Sequence, residues 1–386
     1  MGLARQDYED DPMGGSRFHK VLVLTNDFQR LPALFLALIL LVLIGIVALF
    51  WIDTSVPIAY AVAVSFTWGM LWMLPRAGRS FGPEKASTFA HAILMLVMLA
   101  LLALLNAQTW LAYLVILSLT GIAFYSTWFE PFVLGVTQET LKTPGWSGEP
   151  LRLLHIGDLH LERISPRERR LNQLIEQLQP DVIVFSGDFV NLSYTDDPQT
   201  FNDIREIIGA WCAPYGVYCV PGTYTVEPLE RVKQFVSGLD NLELLLDSWK
   251  TVEVGQGRLH ILGMVTRHIL QDDQKAFAHL MQSAPEGGTK LLLTHAPDVA
   301  YDADTAGFDL YLCGHTHGGQ IRFPLIGAVF SGSHLGMDFV MGRRDLEHTT
   351  VYTTRGVGLE GYGAPRARFL CPPEIILWTI KGGQDD

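Results

Sequence analysis

The sequence predicts two parts with different folds, a membrane anchor of four helices followed by an α/β domain. The distribution of charge is the first observation behind this prediction. Residues 31–130 contain six of the 68 charged side chains, whereas the other 286 residues contain 62, about 22%. The charged fraction outside residues 31–130 is therefore close to the roughly 25% that is typical of soluble domains. From about residue 131 onward, short apolar segments alternate with amphipathic ones, and this pattern indicates an α/β domain.

Four apolar runs form the first part, namely Leu31–Ile52, Val56–Leu74, Phe89–Leu105 and Trp110–Trp128. Each has 17 to 22 residues and contains no Asp, Glu, Lys or Arg. About 20 helical residues span the hydrocarbon core of a bilayer, so four such runs in succession favour membrane spans over buried core helices. Only His91 adds a side chain that can be charged near neutral pH. This scarcity indicates an anchor and disfavours a transporter or channel.

The loops between the runs predict the orientation of the anchor. The N-terminal tail, residues 1–30, and the middle loop, Pro75–Thr88, carry Lys and Arg, whereas the two short links carry neither. By the positive-inside rule, the tail and the middle loop face the cytoplasm, and four crossings return the C-terminal part to the same side. We therefore expect a multi-pass protein of the inner (cytoplasmic) membrane with a polar cytoplasmic tail, 1–30, an anchor, 31–130, and a cytoplasmic domain, 131–386.

Polar residues follow the strands predicted for this domain. Asp158 and His160 follow a strand at Leu151–Ile156, and Asp188 follows one at Val182–Phe185. Later predicted strands are followed by Thr223 and Tyr224, by His295, and by His315 and His317. Ligands of open α/β sheets bind outside the carboxyl ends of the strands, so we expect these side chains to converge. The stretch Gly318–Gly363 is rich in glycine and is predicted to form loops.

Two carboxylates and four imidazoles suit Mn²⁺, Fe or Zn²⁺ and exceed what one tetrahedral ion needs. They indicate a pair of metal ions bridged by one carboxylate. Such pairs activate water and stabilise a transferring phosphoryl group. The segment 151–386 holds 20 basic and 30 acidic residues within a chain of net charge −12. This balance argues against nucleic-acid binding, and bound divalent ions would supply the positive charge that attracts an anionic phosphate.

The order of these motifs, Asp-x-His, Gly-Asp, Thr-His and Gly-His-x-His, resembles that of the calcineurin-like metallophosphoesterases over residues 131–386. The stretches Cys313–Pro324 and Arg368–Ile375 resemble the bacterial membrane-anchored branch of that family. The resemblance implies a double β-sandwich flanked by helices and two bound metals. It also implies roles for six residues: Asp158, His160 and His317 would bind the first metal, Asp188 would bridge, and His295 and His315 would bind the second.

One motif departs from the family, which has Gly-Asn-His where this chain has Gly222-Thr223-Tyr224. The resemblance makes Thr223 a weaker ligand of the second metal and Tyr224 the donor to the phosphate or leaving group. Asn191 is an alternative ligand, and Arg322 is a candidate phosphate contact. A lost proton donor typically costs about 10²–10⁴ in rate, so we expect an intact first metal site, a weaker second one, and reduced or redirected activity.

The resulting hypothesis is a metal-dependent phosphohydrolase that cleaves a phosphoester or pyrophosphate bond. The anchor favours a lipid-linked substrate, and the resemblance suggests UDP-2,3-diacylglucosamine of lipid A synthesis, with Mn²⁺ expected and Fe or Zn²⁺ left open. The alternative is a metal-binding pseudoenzyme that recognises a phospholipid or a protein partner. The apolar stretch Ile321–Phe330 either contacts lipid or acyl chains or forms an ordinary core strand.

Overall fold

The computed structural model describes residues 24–224 and 226–383, which form two compact units. One unit consists of Phe132–Leu359 together with residues 370–383, and the other consists of residues 24–131 and 360–369. Most of the polar tail predicted for residues 1–30 lies outside the described residues. The boundaries predicted for the three domains remain predictions.

Four helices make up most of the second unit: α1 (Ala33–Phe50), α2 (Ser55–Arg76), α3 (Glu84–Leu104) and α4 (Thr109–Trp128). Among the described residues, these four are long and apolar enough to cross a membrane. One apolar cluster joins them, and within it Tyr60 on α2 donates a hydrogen bond to the carbonyl of Ala92 on α3. The third helix begins five residues before the predicted apolar run. Its first turn carries the polar pair Glu84 and Lys85, which an apolar pattern does not include.

A six-stranded sheet begins the other unit. Its strands lie in the order β1–β14–β2–β3–β4–β5. Their bounds are β1 (Gly135–Thr143), β2 (Leu151–Ile156), β3 (Val182–Phe185), β4 (Val217–Cys219), β5 (Leu242–Leu244) and β14 (Glu374–Gly382). The strands from β2 to β5 are parallel, and their connections contain α5 (Pro166–Leu178), α6 (Pro198–Gly209) and α7 (Leu229–Val236). Ser165 caps α5 in a capping box with Glu168, as its Ser-Pro start suggests.

A second six-stranded sheet has the order β12–β13–β9–β8–β7–β6. Its strands are β6 (Ser248–Val254), β7 (Gly257–Gly263), β8 (Thr289–Leu293), β9 (Leu310–Cys313), β12 (Gly342–Asp345) and β13 (Thr350–Thr353). The strands β7, β8, β9 and β13 are parallel, with α8 (Leu270–Leu280) between β7 and β8 and α9 (Ala300–Thr305) between β8 and β9. A two-stranded hairpin, β10 (Arg322–Phe323) and β11 (Gly327–Ala328), follows β9.

The two sheets pack face to face and share one apolar core. Leu153, Val184 and Trp378 of the first sheet belong to the same buried cluster as Ile261 and Leu312 of the second. The outer face of the first sheet is covered by α5, α6 and α7, and that of the second sheet by α8 and α9. The double β-sandwich flanked by helices is thus observed. The carboxyl ends of the central strands of both sheets meet at one edge.

Candidate metal centre

Six acidic and imidazole side chains meet at this edge. Asp158 and His160 lie in the loop after β2, and Asp188 lies in the loop after β3. His295 follows β8, and the loop after β9 contributes His315 and His317. The six form two groups that could each hold an ion, Asp158 with His160 and His317, and Asp188 with His295 and His315. The six positions predicted from the sequence are thus brought together, while their role as metal ligands remains a prediction.

The two groups are adjacent and meet at Asp188. Its Oδ2 atom lies 3.1 Å from Nε2 of His160 in the first group and 3.2 Å from Nε2 of His295 in the second. Within the first group, Nε2 of His317 and Nε2 of His160 are 2.9 Å apart. Within the second group, Nδ1 of His315 and Nε2 of His295 are 3.2 Å apart. One carboxylate oxygen therefore faces both groups, as a bridging ligand must.

The Thr223 hydroxyl lies next to the second group. Its Oγ1 atom lies 3.1 Å from Nε2 of His295 and 3.4 Å from Nδ1 of His315. The backbone N–H of Thr223 donates to Oδ1 of Asp188 at 2.7 Å, which fixes the loop after β4 against the carboxylate. Although its side chain is shorter than that of asparagine, Thr223 places a neutral oxygen among the nitrogens of the second group.

The donor atoms fit divalent ions by chemistry and by spacing. Nitrogen or oxygen ligands about 2.1 Å from one ion lie roughly 3.0–3.4 Å apart in octahedral or tetrahedral geometry. The separations within the two groups, 2.9 and 3.2 Å, agree with these values. Among the described residues, Oδ2 of the fully buried Asp158 has no hydrogen-bond partner. A buried carboxylate oxygen that lacks a donor is costly, and a bound cation would remove this cost.

The loops reach this geometry through an uncommon backbone conformation. Five of the six residues have positive φ angles, from 38° to 71°, and His295 is the exception. Non-glycine residues rarely occupy this region, and such strain persists mainly at functional sites. Two glycines permit the close packing: a Cβ atom on Gly222 would lie 2.0 Å from Oδ1 of Asp188, and one on Gly314 would lie 2.3 Å from Oδ2 of Asp158.

Burial and close charges shift the pKa values of the cluster. Burial alone would raise the pKa of Asp188, but the facing His295 and His160 outweigh it and hold the pKa well below its usual range. For His295, burial lowers the pKa, but the attraction of Asp188 prevails and raises it to about 9. Burial raises the pKa of Asp158 to about 6. Without metal, the cluster therefore holds a proton on His295 at neutral pH, which an ion must displace.

Hydrogen bonds around the cluster orient the ligand atoms. Nδ1 of His295 lies 2.8 Å from the carbonyl oxygen of Ser186. Because a carbonyl only accepts, Nδ1 carries the proton in the neutral ring and Nε2 presents its lone pair to the second group. The backbone N–H of His315 donates to Oδ1 of Asp158 at 2.8 Å. The first group is thereby tied to the loop that carries the second.

A further buried carboxylate, Glu227, contacts the loops of the cluster and was not predicted from the sequence. One of its oxygens accepts from the backbone N–H groups of Asp188 (3.0 Å) and Gly222 (2.7 Å). The other accepts from Phe189 at 2.6 Å and from Val190 at 3.4 Å. Burial and the nearby Asp188 raise its pKa to about 8, against the opposing effect of these N–H groups. Glu227 therefore links the loops after β3 and β4, and its position shortly after Gly222-Thr223-Tyr224 is the only sequence signal for it.

A fifth imidazole, that of His268, packs against the second group. The His268 ring is nearly buried, and its centroid lies 4.7 Å from that of His315 and 6.1 Å from that of His295. Its Nε2 atom has no hydrogen-bond partner among the described residues. Burial and the adjacent His315 hold its pKa well below the usual range, so the ring is neutral. His268 lies in the loop between β7 and α8.

Three further residues were predicted to take part in the site, namely Tyr224, Arg322 and Asn191, and their surroundings differ from those of the six clustered side chains. The Tyr224 side chain is 65% exposed, so it lies at the surface and not among the ligands. The Arg322 guanidinium donates to the carbonyl of Gly318, the residue after His317, at 2.9 Å. The side chain of Asn191 accepts from the N–H of Ser193 and donates to the carbonyl of Leu359, which uses both ends of its amide and argues against the alternative ligand. Catalytic roles for Tyr224 and Arg322 remain predictions.

Comparison with known proteins agrees with this geometry. A family model described as calcineurin-like phosphoesterase matches residues 151–319. The phosphodiesterase YaeI of Escherichia coli is 30% identical over 238 residues, which cover 60% of this chain and 82% of that protein. The chain belongs to the calcineurin-like phosphoesterase family. This membership makes it a metal-dependent phosphohydrolase by class, and enzymes of this family use a centre of two metal ions.

Two further relatives extend the comparison. The metallophosphoesterase YkuE of Bacillus subtilis is 25% identical over 268 residues, which cover 67% of this chain and 89% of that protein. The UDP-2,3-diacylglucosamine pyrophosphatase LpxG of Chlamydia trachomatis is 25% identical over 308 residues, which cover 64% of this chain and 89% of that protein. These relatives carry different activities in their names, so family membership fixes the class of reaction but not the substrate.

Proposed function

We propose that this calcineurin-like phosphoesterase is a membrane-anchored hydrolase with two metal ions, which cleaves a phosphoester or pyrophosphate bond in a lipid-linked substrate. The observation that carries the proposal is the pair of ligand groups joined at Asp188, whose Oδ2 lies 3.1 and 3.2 Å from an imidazole nitrogen of each group. A single structural ion would not need a carboxylate oxygen placed between two sets of ligands.

The proposed ligands are Asp158, His160 and His317 for one ion and His295, His315 and Thr223 for the other, with Asp188 shared. Two bound divalent ions would supply positive charge to the transferring phosphoryl group. The protein's own contribution is to hold the ligand atoms still. Ser186 fixes the tautomer of His295, Glu227 fixes the two loops that carry Asp188 and Thr223, and the exposed Tyr224 hydroxyl is available to donate to an entering phosphate. We expect Mn²⁺ as the native ion, because the donors mix imidazole and carboxylate.

The lipid-linked substrate is supported by the four helices and by one relative. Helices of 18 to 22 residues with few charges are long enough to keep the phosphoesterase unit at a bilayer surface. The relative LpxG bears the name of a UDP-2,3-diacylglucosamine pyrophosphatase, and that molecule joins acyl chains to a pyrophosphate. We propose this compound as the first substrate to test and the cytoplasmic face of the inner membrane as the location, since Lys and Arg cluster on that side of the predicted spans.

A second candidate function is a metal-binding pseudoenzyme that recognises a phospholipid or protein partner. The exposed Tyr224 favours it, because this chain has no imidazole at that position to supply a cation or a proton near pH 7. The Thr223 hydroxyl, 3.1 Å from the nearest nitrogen of the second group, favours the enzyme instead.

The test is hydrolysis of UDP-2,3-diacylglucosamine and of an aryl phosphodiester by the purified full-length chain with Mn²⁺. We expect turnover of the lipid-linked compound that disappears in Asp188→Ala. Turnover of the aryl phosphodiester alone would agree with a phosphohydrolase but refute the proposed lipid-linked substrate. If neither compound is hydrolysed although two ions are bound, the result favours the metal-binding pseudoenzyme over the enzyme.

A further inference from the structure

An apolar hairpin projects from the loop after β9, and none of its residues belongs to the two ligand groups. It consists of β10, β11 and the turn between them, and it is followed by Val329 and Phe330. Leu325 at its tip is fully exposed, and Ile326 is 74% exposed. Phe323, Val329 and Phe330 are also exposed. Five large apolar side chains thus face outward within eight residues, whereas soluble monomers rarely expose such a contiguous patch without a function.

Both ends of this hairpin are fixed to the metal centre. The segment leaves His317 through Gly318, whose carbonyl accepts from Arg322 on β10. It returns through Gly332, where a Cβ atom would lie 2.9 Å from Nε2 of His315. Any surface that the hairpin enters is therefore held close to the two ligand groups.

The charge around the hairpin differs from that of the rest of the unit. Residues 310–337 contain no Asp or Glu, and Arg322 is their only Lys or Arg, in a segment 151–386 of 20 basic and 30 acidic residues. A carboxylate near the tip would oppose entry into an apolar phase and approach to anionic headgroups. The tip residue Leu325 has a φ of 68° in the turn of the hairpin, a conformation that is uncommon for leucine.

We propose that this hairpin inserts into the bilayer that the chain's own helices span, with Leu325 and Ile326 at the level of the acyl chains. Chain connectivity selects the bilayer as the occupant. The helix α4 ends at Trp128 and β1 begins at Gly135, so the start of β1 lies at most about 25 Å along the chain from the end of a helix long enough to span the membrane. Interfacial segments of this kind bind by burying apolar side chains at the boundary between headgroups and acyl chains. The insertion would present the metal centre to the phosphate of a membrane lipid.

The test places a fluorescent probe at the tip of the hairpin in the full-length chain. Leu325→Cys, combined with Cys212→Ser to remove the exposed native thiol, is labelled with an environment-sensitive dye and reconstituted in phosphatidylcholine–phosphatidylglycerol nanodiscs. Ser237→Cys in the same background is the matched control. It is exposed and follows α7 before β5, at the opposite edge of the first sheet.

Insertion predicts that spin-labelled acyl chains quench most of the emission at position 325, that iodide does not, and that position 237 shows the reverse. Iodide quenching at 325 equal to that at 237 would overturn the proposal. Protection from iodide without quenching by the lipid would overturn it as well, because a protein partner or second copy would then cover the tip. Metal binding checks that the labelled variant is folded. If Leu325→Cys does not bind metal, the measurement is repeated with Ile326→Cys. The readout needs no turnover, so it is independent of the proposed reaction.

Discussion

Glu227 provides a test of how the fold holds the candidate metal centre. In Glu227→Ala, the three backbone N–H groups at 3.0 Å or less, those of Asp188, Phe189 and Gly222, lose their buried acceptor. A buried donor without a partner costs about 1–3 kcal/mol, so the sum is about 3–9 kcal/mol. This is a large part of the roughly 5–15 kcal/mol by which domains are stable.

The variant Glu227→Gln separates the effect of the lost hydrogen bonds from that of the lost side-chain volume. Its amide keeps the size of the side chain, but its single oxygen can accept from only one of the two pairs of N–H groups. The other pair would face an amide donor, so we expect a loss of about 2–6 kcal/mol in the free energy of unfolding. For a unit of this size, 1 kcal/mol lowers Tm by about 2–4 °C. The Gln variant should therefore melt at least roughly 4 °C lower, and the Ala variant lower still.

The assay is thermal unfolding of the metal-free full-length chain in detergent at pH 9, above the pKa of about 8 of Glu227, so that its side chain is ionised. It is combined with the metal content after reconstitution with Mn²⁺. Glu230→Gln is the control, because Glu230 lies on α7, is exposed and forms a surface ion pair with Lys233. Such a surface change should alter stability by less than about 0.5 kcal/mol. If Glu227→Ala has the same Tm as this control and binds as much Mn²⁺ as the wild type, the role assigned to Glu227 is wrong.

Three further outcomes are expected. Thr223→Asn with Tyr224→His should raise the rate of aryl phosphodiester hydrolysis, by up to about 10²-fold if the donor is restored; an unchanged rate would show that this pair does not limit the reaction. Mn²⁺ affinity should rise as pH increases from 6 to 9, because Asp158 and then His295 lose the protons that compete with the ion. Calorimetry near pH 7.5 should detect about one proton released per chain, and a flat profile would contradict the raised pKa of His295. Asn191→Ala should lower Tm but leave the metal content unchanged, since its amide bonds Ser193 and Leu359; loss of metal would restore Asn191 as a ligand.

The sequence predicts the candidate site better than it predicts the edges of the fold. The ligands could be placed because each follows a buried apolar strand, and the carboxyl ends of parallel strands share one edge. The edge strand β1 was missed because its alternating exposure includes Gln138 and Glu139, which read as polar linker. The stretch Gly318–Gly363 was predicted as loops apart from a strand at Val351–Thr354, which is observed as β13, but it also contains the short strands β10, β11 and β12. Their pairing depends on contacts across the turn and not on residue type.

Glu227 could not be predicted for a different reason. Its role depends on backbone N–H groups from two loops that lie more than 30 residues apart and that converge only in the folded chain. No periodicity or motif spacing reports such convergence. For Ile321–Phe330, core burial and lipid contact were both left open, because an apolar run has the same composition in both settings. The observed exposure of Leu325 argues against the core, and lipid contact stays a proposal.

The central claim is that seven residues around Asp188 hold two divalent ions, and the metal content of the full-length chain tests it most directly. After equilibrium dialysis against Mn²⁺, we predict two ions for each wild-type chain, a loss of both in Asp188→Ala, and retention of one in Thr223→Ala. One ion in the wild type, or two ions in Asp188→Ala, would contradict the shared carboxylate and with it the proposed centre.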